Sequence, residues 1–341
     1  LHGYAVGVLA RALGRRLAAW FGSAPISVIA ATGWTGGALM LTRAPRRAVL
    51  VRRGRGSAAL TVLGLVAGGL IAPGASAVAP VPGILGGEGL RFVAGGPRAA
   101  EIAAVAGGPA IDPLRVYVGM SSAGTIAERV RLAVAELERV GGFTRSAVLV
   151  VVPTGSGWVN PAAVLALEHL MRGDLATVVV QYAARPSWQE YLRGGAAAEH
   201  SATALVGALR ARLVAAGPHR PRLLVYGESL GALGAIPAVT DADAALLAGL
   251  PAAAWDPAAG PPVRTVLHPD DPVVWWSPRL LVQRPAGWPG PWFPVVTFWQ
   301  VTGSLLGAVD APPGHGHHYG GELADAWRAA GFDTAASRSA L

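Results

Sequence analysis

"RLLVYGESLGALG", residues 222–234, runs an apolar strand into Gly227-Glu228-Ser229-Leu230-Gly231 and then directly into an Ala/Leu-rich segment. A serine at such a junction must take a strained turn conformation. The glycines two before and two after it remove side chains that would clash where strand passes into helix. The hydroxyl is then raised above the strand end, beside the first N–H groups of a helix, where an oxyanion is stabilised. The bare pattern is weak in a chain with 46 glycines, where a simple turn serine is the competing reading. Its setting between a strand and a helix favours Ser229 as a nucleophile.

The flanking sequence supports that setting. "LRVYVGM" (114–120), "SAVLVVVP" (146–153), "ATVVVQY" (176–182), "PRLLVYG" (221–227) and "PVRTVLH" (262–268) read as strands, and "AALLAGL" (244–250) as a further one. The continuous β-branched run at 146–153 suits a strand covered on both faces. Between the strands, residues 125–140 carry apolar positions at helical spacing. Residues 160–173 have Asn160 at the N-cap, Pro161 at the first helical position and Gly173 beyond the end, and 196–217 forms a long helix closed by Gly217. Alternating strands and helices predict a mainly parallel α/β sheet. The Gly- and Pro-rich stretch 83–112 is expected to be a link.

A serine nucleophile needs a base, and the base an orienting carboxylate. Asp271 lies on the loop after the strand at 262–268, beside Asp270, and is followed by Pro272. "PPGHGHHYG" (312–320) then offers His315, His317 and His318. The Gly-x-Gly-His approach favours His317, with His315 next. For the oxyanion, the expected donors are the N–H of Leu230 and that of Thr154 or Gly155, in the loop after the strand at 146–153. Two rival readings are weaker. No second cluster of His and acids completes a hydrolytic metal site around the histidines. "PTGSGW" lacks the Gly-Lys-Ser/Thr ending of a phosphate loop. No metal and no cofactor are therefore expected. The 42 residues from Ser229 to Asp271 hold two helices and two strands but no long lid, which predicts an open cleft. Tryptophans 275, 276, 288, 292 and 299 follow the acid loop. The functional readings are the wall of an apolar acyl pocket or a rest at the membrane interface, and core packing is expected for at least half of them.

The N-terminal 80 residues are different in kind. They contain nine Arg and no Lys, Asp or Glu, while the remainder has 19 Arg against 20 Asp plus Glu. The formal charge of +8 thus belongs to the N-terminal part, and the main domain has no basic excess to suit nucleic acid. The chain has no cysteine, which excludes disulfides and thiolate metal sites. Ser23–Thr42 and Ser57–Pro80 are uncharged, apolar and long enough to cross a bilayer. Between them lie Arg43, Arg46, Arg47, Arg52, Arg53 and Arg55, a loop expected on the cytoplasmic side, with the main domain on the other. Arg11, Arg15 and Arg16 pull the other way. The chain begins with Leu1, and more membrane sequence upstream is expected. The division expected is 1–82 as a membrane-anchoring helical region and 83–341 as the catalytic domain.

The ordered set "VYVGM", "VVVPTGSGWVNP", "GDLATVVVQYAARPSW", "RPRLLVYGESLGALG", "HPDDPVVWWSP", "PVVTFWQ" and "GHGHHYG" resembles an actinobacterial α/β-hydrolase family with a multi-spanning hydrophobic N-terminal region. The resemblance covers roughly residues 85–330. It implies an α/β-hydrolase-type, mostly parallel sheet flanked by helices and preceded by a transmembrane hairpin. It also implies a membrane-attached serine hydrolase with the triad Ser229, Asp271 and His317, acting on lipid-like or small acyl esters. The N-terminal region is shorter here than in the family, and the stretch 240–262 is compressed. An acyltransferase using the same triad and a non-catalytic membrane module of the same fold are the alternatives. The bilayer and a small acyl ester are the expected partners. The sequence gives no sign of oligomeric state.

Overall fold

A computed structural model of the protein describes residues 82–217, 220–253 and 263–332. The expected membrane spans, 23–42 and 57–80, lie outside these residues. No helix among the described residues is long and apolar enough to cross a membrane.

Six strands form one sheet: β1 (Leu114–Val118), β2 (Ala147–Val152), β3 (Leu175–Val180), β4 (Arg222–Glu228), β5 (Ala244–Ala248) and β6 (Val263–Val266). They lie in the order β1-β3-β2-β4-β5-β6 and every pairing is parallel. Five of these strands were legible in the sequence, with ends shifted by one or two residues, and β5 is the one that the compressed stretch 240–262 had put in doubt. The inner strands β2 and β3 are buried along their whole length, as their unbroken apolar runs require.

Helices cover both faces. Val148, Val150 and Val152 of β2 pack in one cluster with α3 (Ile126–Arg139), α6 (Ala196–Ala215) and α7 (Leu230–Ala235). Ala147, Leu149 and Val151 point the other way, into a cluster with α1 (Pro82–Ala94), α4 (Pro161–Leu170) and α10 (Glu322–Ala329). The side-chain period of two along the strand divides them. Each fully buried Leu or Val in these clusters contributes roughly 1.5–3 kcal/mol. The chain moves from β1 out to β2, returns to place β3 between them, and then leaves for β4 on the far side. A right-handed crossover that reverses direction must change faces. That is why α4 lies opposite α3 and α6. The reversal opens a crevice at the carboxyl ends of the strands, where ligands of such sheets gather.

Local sequence fixes several helix starts. Thr125 Oγ1 accepts the Glu128 N–H at 3.2 Å while Glu128 Oε2 accepts the Thr125 N–H at 3.0 Å, a closed capping box on α3. Asn160 Oδ1 accepts the Ala162 N–H at 2.9 Å, with Pro161 at the first position of α4.

Three expectations are corrected here. The stretch 83–112 is more than a link: it contains α1 and α2 (Ala99–Ala106). Gly86, at φ 65°, breaks α1 internally, and the Gly-rich composition concealed the helix. The link is nevertheless tied to the sheet, because Arg115 on β1 donates to both oxygens of buried Glu168 on α4 and to the Phe92 carbonyl of α1. Between Ser229 and Asp271, α7 has only six residues and passes into a 3-10 turn, Ile236–Asp241. After β5 the described chain has only the turn Pro251–Ala253 before β6. The second expected helix could fall only on residues 254–262, outside the described residues. Of the five tryptophans after the acid loop, Trp276 alone is buried, and Trp299 is exposed. Their segment carries α5's neighbour Trp276, the short α8 (Pro272–Trp275) and α9 (Val296–Ser304), with α5 itself being Ser187–Leu192.

Candidate active site

Ser229 stands between the last residue of β4 and the first of α7, with φ 57° and ψ −122°. That backbone is costly for any residue with a Cβ, so the surroundings must impose it. The Ser229 N–H donates to the Ala248 carbonyl of β5 at 2.9 Å, and the Ser229 carbonyl accepts the Leu233 N–H at 3.1 Å. The two flanking glycines have separate reasons. A Cβ on Gly227 would stand 2.5 Å from the Gly231 carbonyl oxygen, inside the first turn of α7. A Cβ on Gly231 would stand 2.1 Å from the Val152 carbonyl oxygen, where α7 touches the end of β2. The serine side of the expected elbow is thus built as the sequence implied.

Asp271 follows β6 and is fully buried. Its Oδ1 caps α8 by accepting the Val273 N–H at 2.8 Å. Its Oδ2 lies 2.7 Å from His317 Nδ1, and the His317 side chain is only 9% exposed. A carboxylate accepts, so Nδ1 carries a hydrogen, and in the neutral imidazole the lone pair is left on Nε2, where a general base needs it. The neighbouring pair contrasts with this one. His315 Nδ1 lies 3.2 Å from Asp270 Oδ2, but those side chains are 67% and 54% exposed. His318 Nδ1 faces the Ala311 carbonyl instead, at 2.9 Å. Geometry therefore joins Asp271 with His317 and leaves Asp270 and His315 as a solvated pair.

His317 reaches the serine's end of the sheet over Gly249, the residue after β5. Gly249 has φ 57°, and a Cβ there would lie 2.7 Å from His317 Cε1 and from Tyr319 Cε2. The preceding carbonyl, Ala248, holds the Ser229 amide. Ser229 and the imidazole are thus both tied to the carboxyl end of β5. Sequence reasoning passed over Gly249, whose signal was a glycine at the end of an apolar run.

The oxyanion loop departs from expectation. The Thr154 N–H donates to the Trp158 carbonyl at 3.0 Å, closing loop 153–158 on itself. The Gly155 N–H donates to Ser187 Oγ, at the start of α5, at 3.0 Å. Both expected backbone donors are therefore engaged in this structure. The Leu230 N–H occupies the first position of α7, where a helix has no intrahelical acceptor for it.

Behind the pair lies a buried polar network that the sequence did not disclose. Asn160 Nδ2 donates to Glu228 Oε2 at 2.7 Å and to the Tyr319 carbonyl at 3.0 Å. Tyr226 donates to the same Glu228 oxygen at 2.6 Å. Burial pushes the Glu228 carboxyl above its ordinary range, against the pull of these two donors and of His317, while the Asp271 charge adds to the rise. His268 places Nδ1 2.8 Å from the Gly316 carbonyl and Nε2 3.1 Å from Glu322 Oε1, bracketing the His317 loop from both sides. Among the described residues no group of three or more His, Cys, Asp or Glu is arranged to hold a metal ion.

A parallel sheet with these crossovers, a strained serine after its fourth described strand and a hydrogen-bonded Asp–His pair at the same end of the strands define an α/β-hydrolase architecture. The model of the alpha/beta-hydrolase family matches residues 114–266 and 251–338, and the chain belongs to that family. Among solved structures, a chain titled "Trichoderma reesei cutinase in complex with a C11Y4 phosphonate inhibitor" is similar, with 16% identity and a TM-score of 0.30. That match covers 44% of this chain and 75% of the cutinase. No curated protein matches.

Gly249 gives a direct check on how close the imidazole must come. In Gly249→Ala the added methyl presses on His317 and Tyr319 while the strands remain paired. Any turnover that uses the His317 ring should fall on the order of 100-fold, with the far-ultraviolet dichroism unchanged. Activity equal to wild type would show that the ring does not work at this position.

Proposed function

We propose that the protein is a serine hydrolase that cleaves carboxylic esters through Ser229, His317 and Asp271. The observation that carries this reading is the buried 2.7 Å contact between His317 Nδ1 and Asp271 Oδ2, at the same strand end as a serine held at φ 57°. His317 Nε2 takes the Ser229 proton as Oγ attacks the ester carbonyl, forming a tetrahedral oxyanion. The Leu230 N–H donates to that oxygen. A second donor comes from loop 153–158 by turning a Gly155 or Thr154 N–H away from its present acceptor. Collapse of the intermediate expels the alcohol, which takes the proton from His317. Water, deprotonated in turn by His317, then releases the acid and restores Ser229.

The segment after the acid loop favours an apolar acyl group. Phe293, Val295, Val296 and Trp299 are exposed there, and buried Trp276 packs edge-on to Tyr191 of α5 with ring centroids 5.9 Å apart. The enzyme is also proposed to be membrane-attached through the apolar segments 23–42 and 57–80, with the arginine loop 43–55 on the cytoplasmic side. Residues 1–82 then anchor and 83–341 catalyse.

Labelling by a fluorophosphonate probe tests the chemistry. Ser229→Ala should abolish labelling and ester turnover, and His317→Ala should nearly do so. Asp271→Asn should cost on the order of 10⁴ in turnover by fixing the wrong tautomer, and His315→Ala should stay near wild type. Loss of activity in His315→Ala with retention in His317→Ala would overturn the assignment of the base. For topology, a reporter active only outside the cytoplasm should be active when fused after residue 341. Activity of a cytoplasm-only reporter there would reverse the orientation.

A further inference from the structure

Tyr319 is two residues beyond His317 and fully within the core, at 2% exposure. Its hydroxyl donates at 2.7 Å to Asp271 Oδ2, the same oxygen that faces His317 Nδ1 at 2.7 Å. A buried phenol needs an acceptor, and here that acceptor is the oxygen that also faces the imidazole. Several features of the fold hold the ring in place. The ring stacks on His268 with centroids 4.2 Å apart and planes 14° apart, and meets the His317 ring edge-on at 5.7 Å. The Tyr319 carbonyl accepts from Asn160 Nδ2. The His268 N–H approaches the phenol oxygen at 3.4 Å. Gly249 leaves space for the ring.

We propose that Tyr319 is a positioning residue that sets the basicity of His317 by competing with it for Asp271 Oδ2. This rests on the triad reading above. A donor on a carboxylate oxygen draws charge towards itself, so the same oxygen stabilises an imidazolium less. With the tyrosine bond present, His317 gives up its proton more readily, which keeps it in the base form at lower pH. Burial and the nearby Asp271 charge push the Tyr319 phenol well above its ordinary range, so it stays a donor throughout. The other titratable groups around the pair are Glu228 and Tyr226 on β4, His268 and Asp270 after β6, His315 on the histidine loop, and Glu322 on α10. All of them remain in a Tyr319 variant, so their contribution is common to variant and wild type.

The experiment is the pH dependence of kcat/KM for a soluble ester, in the full chain. Tyr319→Phe keeps the ring and removes only the donor. Its acid limb should move to higher pH by roughly half a unit, with the plateau reduced only a few-fold. Replacing Tyr319 by 3,5-difluorotyrosine strengthens the donor and should move the limb to lower pH. A purely structural role would scale the profile without moving it. An unmoved limb in both variants, or movement in the same direction, overturns the proposal. If Tyr319→Phe does not fold, the difluorotyrosine protein decides alone. Probe labelling that survives Ser229→Ala would instead overturn the triad reading, and this proposal with it.

Discussion

The carboxylate of Asp271 has no solvent exposure, yet it accepts from a backbone N–H and a phenol and faces an imidazole Nδ1. A buried carboxylate without such partners would cost several kcal/mol. Its three contacts come from two stretches of the chain: the first turn of α8, beside Asp271 itself, and the histidine loop, which supplies both His317 and Tyr319. Satisfying one charge therefore draws the 268–275 and 315–322 segments together. His268, which brackets the histidine loop through Gly316 and Glu322, completes the closure.

The second constraint is steric. Ser229 has an unfavourable backbone because β4, α7 and β5 leave it no other. Gly227 and Gly231 let the helix approach to where any Cβ would overlap backbone atoms. The Ala248 carbonyl fixes the serine amide, and the next residue, Gly249, admits the imidazole. A single strand end, that of β5, thus positions both Ser229 and the His317 ring. The hydrolase architecture follows from these contacts, and family membership agrees with it.

What could be read from sequence, and what could not, follows from the range of each interaction. Strands β2 and β3 were visible because strands buried along their whole length must be continuously apolar, whereas β6, which is not buried, showed only through its β-branched residues. The helix start at Asn160-Pro161 was visible because capping is local. Ser229 and Asp271 could be singled out because each closely follows an apolar strand, and His317 because glycines flank its approach. Helices α1 and α2 were hidden by glycines that ordinarily mark loops. The engagement of the Gly155 N–H was hidden because its acceptor, Ser187, is 32 residues away. Tyr319 and His268 looked like ordinary loop and strand-end residues, since only the closed fold brings them to Asp271 and the histidine loop. The tryptophan run misled because hydrophobicity alone did not show that most of those rings are only half-buried.

The central claim is that the buried Asp271–His317 pair serves Ser229. Its most direct measurement is the low-field proton NMR signal of the His317 Nδ1 hydrogen, identified by its loss in His317→Ala. The signal should shift when a phosphonate is bonded to Ser229, because the anionic adduct favours the imidazolium. A signal unchanged after complete phosphonylation of Ser229, or a phosphonate that does not bond to Ser229 at all, would contradict the account.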